Sequence, residues 1–239
     1  MREKPEKGFS LIESLLSLSL FLVIVLACLE LFGFTRNIFL KLKIQEESKS
    51  AVFSALDKMK IDILSGGSGL LEPVQLGLLE NITEDEGALI ILSMEKNFAS
   101  LNDLVTGQTK ILLPSISNFK KKREICIFDT HKGEVKSILS AANKSIVIST
   151  PLDFSYSKDE THIYLIKKVA FFFDKNKQII RRKVNSSPSQ PLLEDAALFD
   201  FSYSKTTNLV SLCLSLKLNE EKEYEISIYP KNAALGAKR

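Results

Sequence analysis

The sequence has few residues of the kinds that build disulfide frameworks, metal centres and nucleotide-binding loops. Its 239 residues include 3 cysteines, 2 histidines, 10 glycines, 7 prolines and no tryptophan. Three cysteines in a chain of this length exclude a small disulfide-stapled scaffold. The sequence contains no His-Glu-x-x-His, Cys-x-x-Cys or glycine-rich phosphate-binding motif. We therefore expect no enzymatic activity, no cofactor and no metal site.

Charge and apolar content exclude several further classes. The formal net charge of +3 is too small to indicate a nucleic-acid partner. The dense basic run Lys120–Arg123 has one adjacent aromatic residue, Phe119, and we interpret it as a solvated loop between strands. The apolar fraction of 45% is too high for disorder along the whole chain. Only one stretch is apolar enough to span a bilayer, which excludes a polytopic membrane protein.

This apolar stretch runs from Phe9 to Phe34 and follows a short polar leader, residues 1–8. As a helix, it would be roughly 39 Å long. That length exceeds the bilayer hydrocarbon core, which is about 30 Å thick. The run is too long for a secretory signal peptide, and no Ala-x-Ala-like cleavage site closes it. We expect residues 9–34 to form a transmembrane helix of the mature protein.

Glu13 is the most informative residue of this stretch. A carboxylate costs about 2.5–3.5 kcal/mol at the bilayer centre and less near the interface, and such residues are usually paired. If the chain is cut after Gly8, the new amine of Phe9 lies four residues before Glu13, on the same helix face. The two charges would relieve each other's desolvation, within one helix or between neighbours. Alternatively, Glu13 complements the helix dipole of an ordinary signal anchor.

Segment 7–13, Lys-Gly-Phe-Ser-Leu-Ile-Glu, resembles the cleavage and methylation motif of type IV prepilins and pseudopilins. The resemblance implies that prepilin peptidase cuts after Gly8, that Phe9 becomes N-methylated, and that Glu13 guides docking into a filament. It implies prepilin peptidase and other pilins or pseudopilins as partners, with inner-membrane lipid around the helix before assembly. It also implies a single-pass protein of the bacterial inner membrane, with its head outside the cytoplasm.

Two features qualify this resemblance. Arg36, Lys41 and Lys43 follow the apolar stretch, so a positive-inside count favours a cytoplasmic head. We follow the family resemblance, which implies the opposite orientation. Major pilin helices often carry a kinking proline where this chain has Glu30, and its absence favours a minor subunit.

The helical pattern continues beyond the membrane segment. Val52, Leu56, Met59 and Ile63 recur at helical spacing, which predicts an amphipathic helix over residues 35–65. The glycine-rich sequence after Leu64 ends it. Because the apolar stripe must cover something, we expect it to pack on a β-sheet.

Residues 66–230 are predicted to form a β-rich head, and residues 231–239 a flexible tail. The fold class is therefore α+β and pilin-like, with a long N-terminal helix on a mainly antiparallel sheet. Segment 163–203 resembles the C-terminal half of J-type pseudopilins and W-type minor pilins. The predicted strands cover residues 88–94, 124–128, 135–139, 145–149, 164–173, 178–184, 199–203, 209–218 and 223–229.

Several alternatives remain open. Cys126 and Cys213 lie in predicted strands and could form a disulfide if their Cα atoms approach within about 7 Å. Their apolar neighbours fit two buried thiols at least as well. A type II secretion pseudopilus and a type IV pilus are not separable from these residues. The chain could also be a signal-anchored periplasmic binding or sensory protein, or an anchored enzyme.

Overall fold

The computed structural model describes residues 11–115, 119, 121–142, 144–217 and 219–236. The chain divides into two compact units, Met1–Phe53 and Ser54–Arg239. A long helix, α1 (Leu11–Leu64), begins in the first unit and ends in the second. The second unit is mainly antiparallel β-sheet. The α+β class, the long apolar helix and the antiparallel head are thus confirmed, whereas the likeness to pilins stays a prediction.

Helix α1 is 54 residues long and no proline interrupts it. At its end, the Ser65 hydroxyl donates to the Asp62 carbonyl at 2.7 Å. The amide of Gly66 donates to the Ile63 carbonyl at 2.9 Å. Gly67 then adopts a φ of +76°, which glycine reaches without steric cost. The helix therefore ends at the glycine-rich sequence, as predicted.

Twelve strands and two short helices follow α1 in the described part of the chain. The helices are α2 (Leu71–Gln75) and α3 (Lys231–Gly236). The strands are β1 (Ile82–Asp85), β2 (Ala88–Ala99), β3 (Lys110–Leu112), β4 (Glu124–Phe128), β5 (Gly133–Ala142), β6 (Ser145–Ile148), β7 (His162–Asp174), β8 (Ile179–Val184), β9 (Gln190–Leu193), β10 (Ala196–Ser204), β11 (Leu209–Leu216) and β12 (Asn219–Ile228).

The larger sheet has nine strands and is organised around β7. Its order is β1-β2-β7-β4-β5-β6-β3, with β8 paired to β7 and β9 to β8. One edge of β7 pairs with β2, and the other pairs first with β4 and then with β8. The β4 pairing ends at Ile125↔Leu165 and the β8 pairing at Val169↔Val184, so residues 166–168 lie between them. Strands β10, β11 and β12 form a separate antiparallel sheet.

The apolar stripe of α1 is buried where the helix belongs to the second unit. Leu56, Met59 and Ile63 are 7%, 0% and 0% exposed. Asp62 in the same segment accepts hydrogen bonds from the Arg182 guanidinium at 2.6 and 3.1 Å. Two charge-assisted bonds of this kind fix orientation as well as charge. They attach the last turns of α1 to β8.

Apolar side chains cover both faces of β7. Ile163 and Leu165 belong to a cluster with residues of β3, β4, β5 and β6. Ile166 belongs to a second cluster, with Leu70, Cys126 and Phe128. The alternation of a β-strand thus sends neighbouring side chains into different cores.

The first six residues of the expected flexible tail form α3 instead. Ala233 in this helix is 2% exposed. The Asn208 side-chain amide donates to the Pro230 carbonyl at 3.1 Å, which fixes the chain at the start of the helix. A Cβ on Gly67 would lie 2.8 Å from the Ala233 nitrogen, so the loop after α1 closely approaches α3. Residues 237–239 lie outside the described residues.

Candidate functional site

The apolar part of α1 is the most unusual surface of the described chain. Large apolar side chains from Leu11 to Ile44 are exposed, including Leu11 at 78% and Phe32 at 68%. The helix is long and apolar enough to cross a membrane, and its most apolar window is 0% buried. Exposed apolar surfaces of this extent mark membrane or protein contacts. The segment is therefore compatible with a single-pass membrane anchor.

Two hydroxyl groups of this segment bond within the helix. The Ser17 hydroxyl donates to the Ser14 carbonyl at 3.0 Å, and that of Ser19 donates to the Leu16 carbonyl at 2.9 Å. A hydroxyl without a partner would cost several kcal/mol in an apolar environment, of the order of 2–7 kcal/mol. Local bonds to the preceding turn reduce this cost. These serines are thus compatible with lipid or with a packed helical interface.

The two carboxylates of the segment lie near its two ends. Glu13 and Glu30 are the charged residues between Leu11 and Thr35. Their Cα atoms are separated by about 26 Å along the helix axis, from 1.5 Å per residue. This separation approaches the hydrocarbon thickness of about 30 Å. Both side chains can therefore lie close to an interface, where a carboxylate costs less than at the bilayer centre.

Glu13 lies in the first turn of α1, where the helix dipole favours a negative charge. Gly8 and Phe9, the predicted cleavage and methylation residues, lie outside the described residues. The cut after Gly8 and the pairing of Glu13 with a Phe9 amine therefore stay predictions.

All three cysteines are free thiols. Cys126 lies on β4 in the larger sheet and is buried, whereas Cys213 lies on β11 in the smaller sheet and is partly exposed. The candidate Cys126–Cys213 disulfide is therefore not formed in this structure. Burial raises the pKa of Cys126 to about 12. This thiol therefore packs like a small apolar side chain and is not activated as a nucleophile.

Among the described residues, Cys213, Glu223 and Glu225 form a group that could hold a metal ion. Their ligand atoms all lie within 4.8 Å of one another, and the thiol donates to Glu223 at 3.8 Å. Cys213 is directly opposite Glu225 in the β11–β12 register. Burial and the two carboxylates raise the pKa of the thiol, so it stays protonated at neutral pH. The spacing between Cys213 and the glutamates gives no motif, which is why the sequence does not predict this group.

A partly buried ion cluster joins β5 to the segment before β7. The Lys136 ammonium lies 2.8 Å from Glu134 and 2.7 Å from Asp153. The Tyr156 hydroxyl donates to Glu134 at 3.0 Å. Burial opposes the charge of Lys136, but hydrogen bonds to Asp153 and Glu134 outweigh it, and its pKa is raised. Burial and the Glu134 charge raise the pKa of Tyr156. The cluster satisfies charges and fixes a loop, so we interpret it as structural.

The basic run contains one residue that the solvated-loop interpretation misplaces. Arg123 is 5% exposed, and its guanidinium donates to Glu95 at 2.6 Å and to the Ile166 carbonyl at 2.7 Å. Lys121 and Lys122 are exposed, as predicted, whereas Lys120 lies outside the described residues. The interpretation is therefore wrong for Arg123, because a carboxylate from β2 compensates its charge.

No family model and no curated protein matches the chain. The solved structures that resemble part of it include tailspikes of bacteriophages. A tailspike of Acinetobacter baumannii bacteriophage AP22, in complex with an A. baumannii capsular saccharide, is 14% identical with a TM-score of 0.29, over 32% of this chain. Tailspikes of Pseudomonas phages LKA1 and phi297 are 18% and 12% identical, both with TM-scores of 0.27, over 32% and 30% of this chain. The chain spans 14–15% of the tailspikes' length, and likenesses this weak establish neither fold nor function.

Proposed function

We propose that the protein is a minor pilin-like or pseudopilin-like subunit of a type IV pilus or a type II secretion pseudopilus. Prepilin peptidase removes residues 1–8, and the new amine of Phe9 is methylated. The subunit then resides in the bacterial inner membrane as a single-pass protein, with its head outside the cytoplasm. Its role is structural and it catalyses no reaction.

The observation that carries the proposal is the difference in burial between the two ends of α1. Residues 11–34 present apolar side chains in all directions, and the most apolar stretch of the helix is exposed throughout. Leu56, Met59 and Ile63, near the other end of the same helix, are buried in the head. A helix of this kind supplies an anchor and a filament-packing rod in one element. The prepilin-like segment 7–13 directly before it supports the same function.

Assembly then consists of exchanging lipid for neighbouring helices. The apolar surface remains out of water in both states, so leaving the bilayer carries no hydrophobic penalty. The Glu13 carboxylate pairs with a Phe9 amine in the growing filament. A buried charge pair fixes the axial offset between helices, as polar residues fix register in coiled coils.

The intact mass and N-terminal residue of the membrane-extracted protein test this proposal. We expect a chain that begins at Phe9, has lost eight residues and carries one added methyl group. The variant Gly8→Leu should keep its leader, because the peptidase acts at a residue without a side chain.

An intact leader in cells whose other pilins are processed would contradict the proposal. That result would favour the alternative, a signal-anchored periplasmic binding or sensory protein that never enters a filament.

A further inference from the structure

The gap in the larger sheet beside β7 forms a cavity with a cationic lining. The cavity has a volume of about 280 Å³ and lies where β4 has ended and β8 has not yet begun its pairing. Three lysines line it: Lys122 from the segment before β4, Lys168 from β7 and Lys183 from β8. We call this cavity the β4–β8 notch. Its lysines come from three separate parts of the chain, and the basic run contributes only Lys122.

Arg123 and Asn185, rather than a further strand, satisfy the exposed edge of β7 in the notch. The Arg123 guanidinium donates to the Ile166 carbonyl at 2.7 Å. The Lys168 backbone amide donates to the Asn185 side-chain oxygen at 2.8 Å, and the Asn185 backbone amide donates to the Lys168 carbonyl at 2.7 Å. The edge therefore needs no strand to fill it, and the notch is a maintained part of the fold.

The notch carries uncompensated positive charge. The Arg123 charge is compensated by Glu95, and Glu124 is the one carboxylate among the lining residues. In the described part of the chain, no salt bridge joins Lys122, Lys168 or Lys183 to a carboxylate. Three ammonium groups against one carboxylate leave an excess of two positive charges.

The neutral lining groups also suit an anion. The Asn185 oxygen already accepts the Lys168 amide proton, which leaves the Asn185 NH₂ group as a donor. The Ser186 hydroxyl donates to the Lys121 carbonyl at 3.3 Å, so the donors that face an anion are the three lysines and Asn185. Ile166 and Ala170 supply an apolar wall. The notch thus offers several donors, one acceptor and a surface for carbon atoms.

We propose that the β4–β8 notch binds a small phosphate monoester from solution. Lysine ammonium groups bind phosphate as point charges, and a phosphate dianion matches the excess of two positive charges. The apolar wall and the volume leave space for a short polyol or sugar beside the phosphate. This site lies within the head, and it holds whether or not the chain enters a filament.

Calorimetric titration of the full chain, in nonionic detergent, tests the site with glycerol phosphate as the probe. Lys168→Gln removes one lining charge, and Lys183→Gln removes another from an exposed position. Lys167→Gln is the matched control, because Lys167 is next in sequence but projects from the opposite face of β7. Circular dichroism verifies that each variant keeps the wild-type fold.

We expect saturable binding that glycerol and acetate do not reproduce. Lys168→Gln and Lys183→Gln should each raise the Kd about tenfold, which corresponds to about 1.4 kcal/mol. Lys167→Gln should change it less than about twofold, and added salt should weaken binding. No saturable binding, or equal weakening by Lys167→Gln and Lys168→Gln, would overturn the proposal. Equal binding of acetate would overturn the phosphate assignment. If glycerol phosphate bound in nonionic detergent but not in micelles doped with phosphatidylglycerol, the lipid headgroup would occupy the notch. That result would overturn the proposal of a phosphate monoester from solution.

Discussion

Glu13 and Glu30 offer a direct test of docking, since both are carboxylates in the same apolar helix segment. Glu13→Val should leave cleavage intact but reduce recruitment into filaments at least about tenfold. A broken buried charge pair costs about 3–5 kcal/mol. This cost exceeds the free energy of about 1.4 kcal/mol to which a tenfold reduction corresponds. Immunoblots of sheared filaments against membranes measure recruitment, and intact mass measures cleavage.

Glu30→Val is the control for this experiment. It removes an equal charge from the same segment but lies seventeen residues from the proposed docking position. Near-normal recruitment is expected for this variant. If Glu13→Val entered filaments at the wild-type level, or if both variants failed equally, a specific docking role for Glu13 would be excluded.

Residues of the basic run show what a local sequence can and cannot reveal. Lys122 and Arg123 are neighbours of the same charge, yet Lys122 is exposed and Arg123 is buried, with 5% of its surface accessible. The difference arises from Glu95, which is 28 residues away and lies within reach only after β2, β7 and β4 have paired. Composition and spacing carry no signal for such a partner.

At the level of elements, patterns that one segment determines alone were predicted well. Strand β4 has the predicted bounds. The alternating leucines of β11, Leu212, Leu214 and Leu216, are all buried, as is Ser215 between the last two. The turn after Asp174 joins β7 to β8, two of the predicted strands, in an antiparallel hairpin. In each case the period of the apolar residues, or a polar turn between two apolar runs, contains the information.

Elements that depend on neighbours were missed. Strands β1, β3 and β9 have three or four residues each, and β9 contains Pro191. Such strands are recognisable only through the partner that completes their hydrogen bonds. Helix α3 was missed for the same reason, because Ala233 is buried through long-range contacts.

The junction after α1 gives a prediction at this scale. Gly67→Ala should destabilise the head by more than Gly77→Ala. Both glycines have similar φ angles, +76° and +74°, so both variants incur about 1–2 kcal/mol for a left-handed conformation. A Cβ at Gly67 also meets the α3 backbone at 2.8 Å, whereas one at Gly77 meets nothing within 4 Å. Only the first variant must displace α3.

Urea unfolding of both variants, followed by far-ultraviolet circular dichroism, measures the difference. Gly77→Ala isolates the cost of the backbone conformation, and the excess in Gly67→Ala reports the steric contact. Equal losses of stability would mean that α3 moves aside freely and does not lock the end of α1.

At the scale of the whole molecule, the groups that define sites converge from distant segments. The β4–β8 notch unites Lys122, Lys168 and Lys183, and the ion cluster unites Lys136 with Asp153. Sheet order creates the notch, since β7 pairs with β4 and then with β8 along one edge. The ion cluster forms because the segment after β6 returns to β5. The prepilin-like segment, in contrast, is contiguous and therefore visible in sequence. This explains why the proposed anchor can be inferred from sequence and the proposed anion site cannot.

Convergence of buried groups also sets how the stability of the head depends on pH. Burial raises the pKa of Cys126 from 9.0 to about 12, and burial raises the pKa of Tyr164 as well. Lys136 also has a raised pKa, because its bonds to Asp153 and Glu134 outweigh burial. A raised pKa means that the folded state keeps a proton that the unfolded state loses. The resulting stability is complete below the unfolded pKa and falls as pH rises toward the folded pKa.

The stability of the head should therefore decline between about pH 9 and pH 12, with Cys126 contributing roughly 4 kcal/mol of the decline. Cys126→Ala removes this titration and should flatten the curve, although its small cavity lowers stability at neutral pH. Urea midpoints of the full chain in detergent, measured by circular dichroism at several pH values, give the slope. Cys28→Ala should keep the wild-type slope, because Cys28 lies in the apolar part of α1 and not in the head. Parallel curves for wild type and Cys126→Ala would mean that Cys126 gains no protection from water on folding, which would place it outside the core.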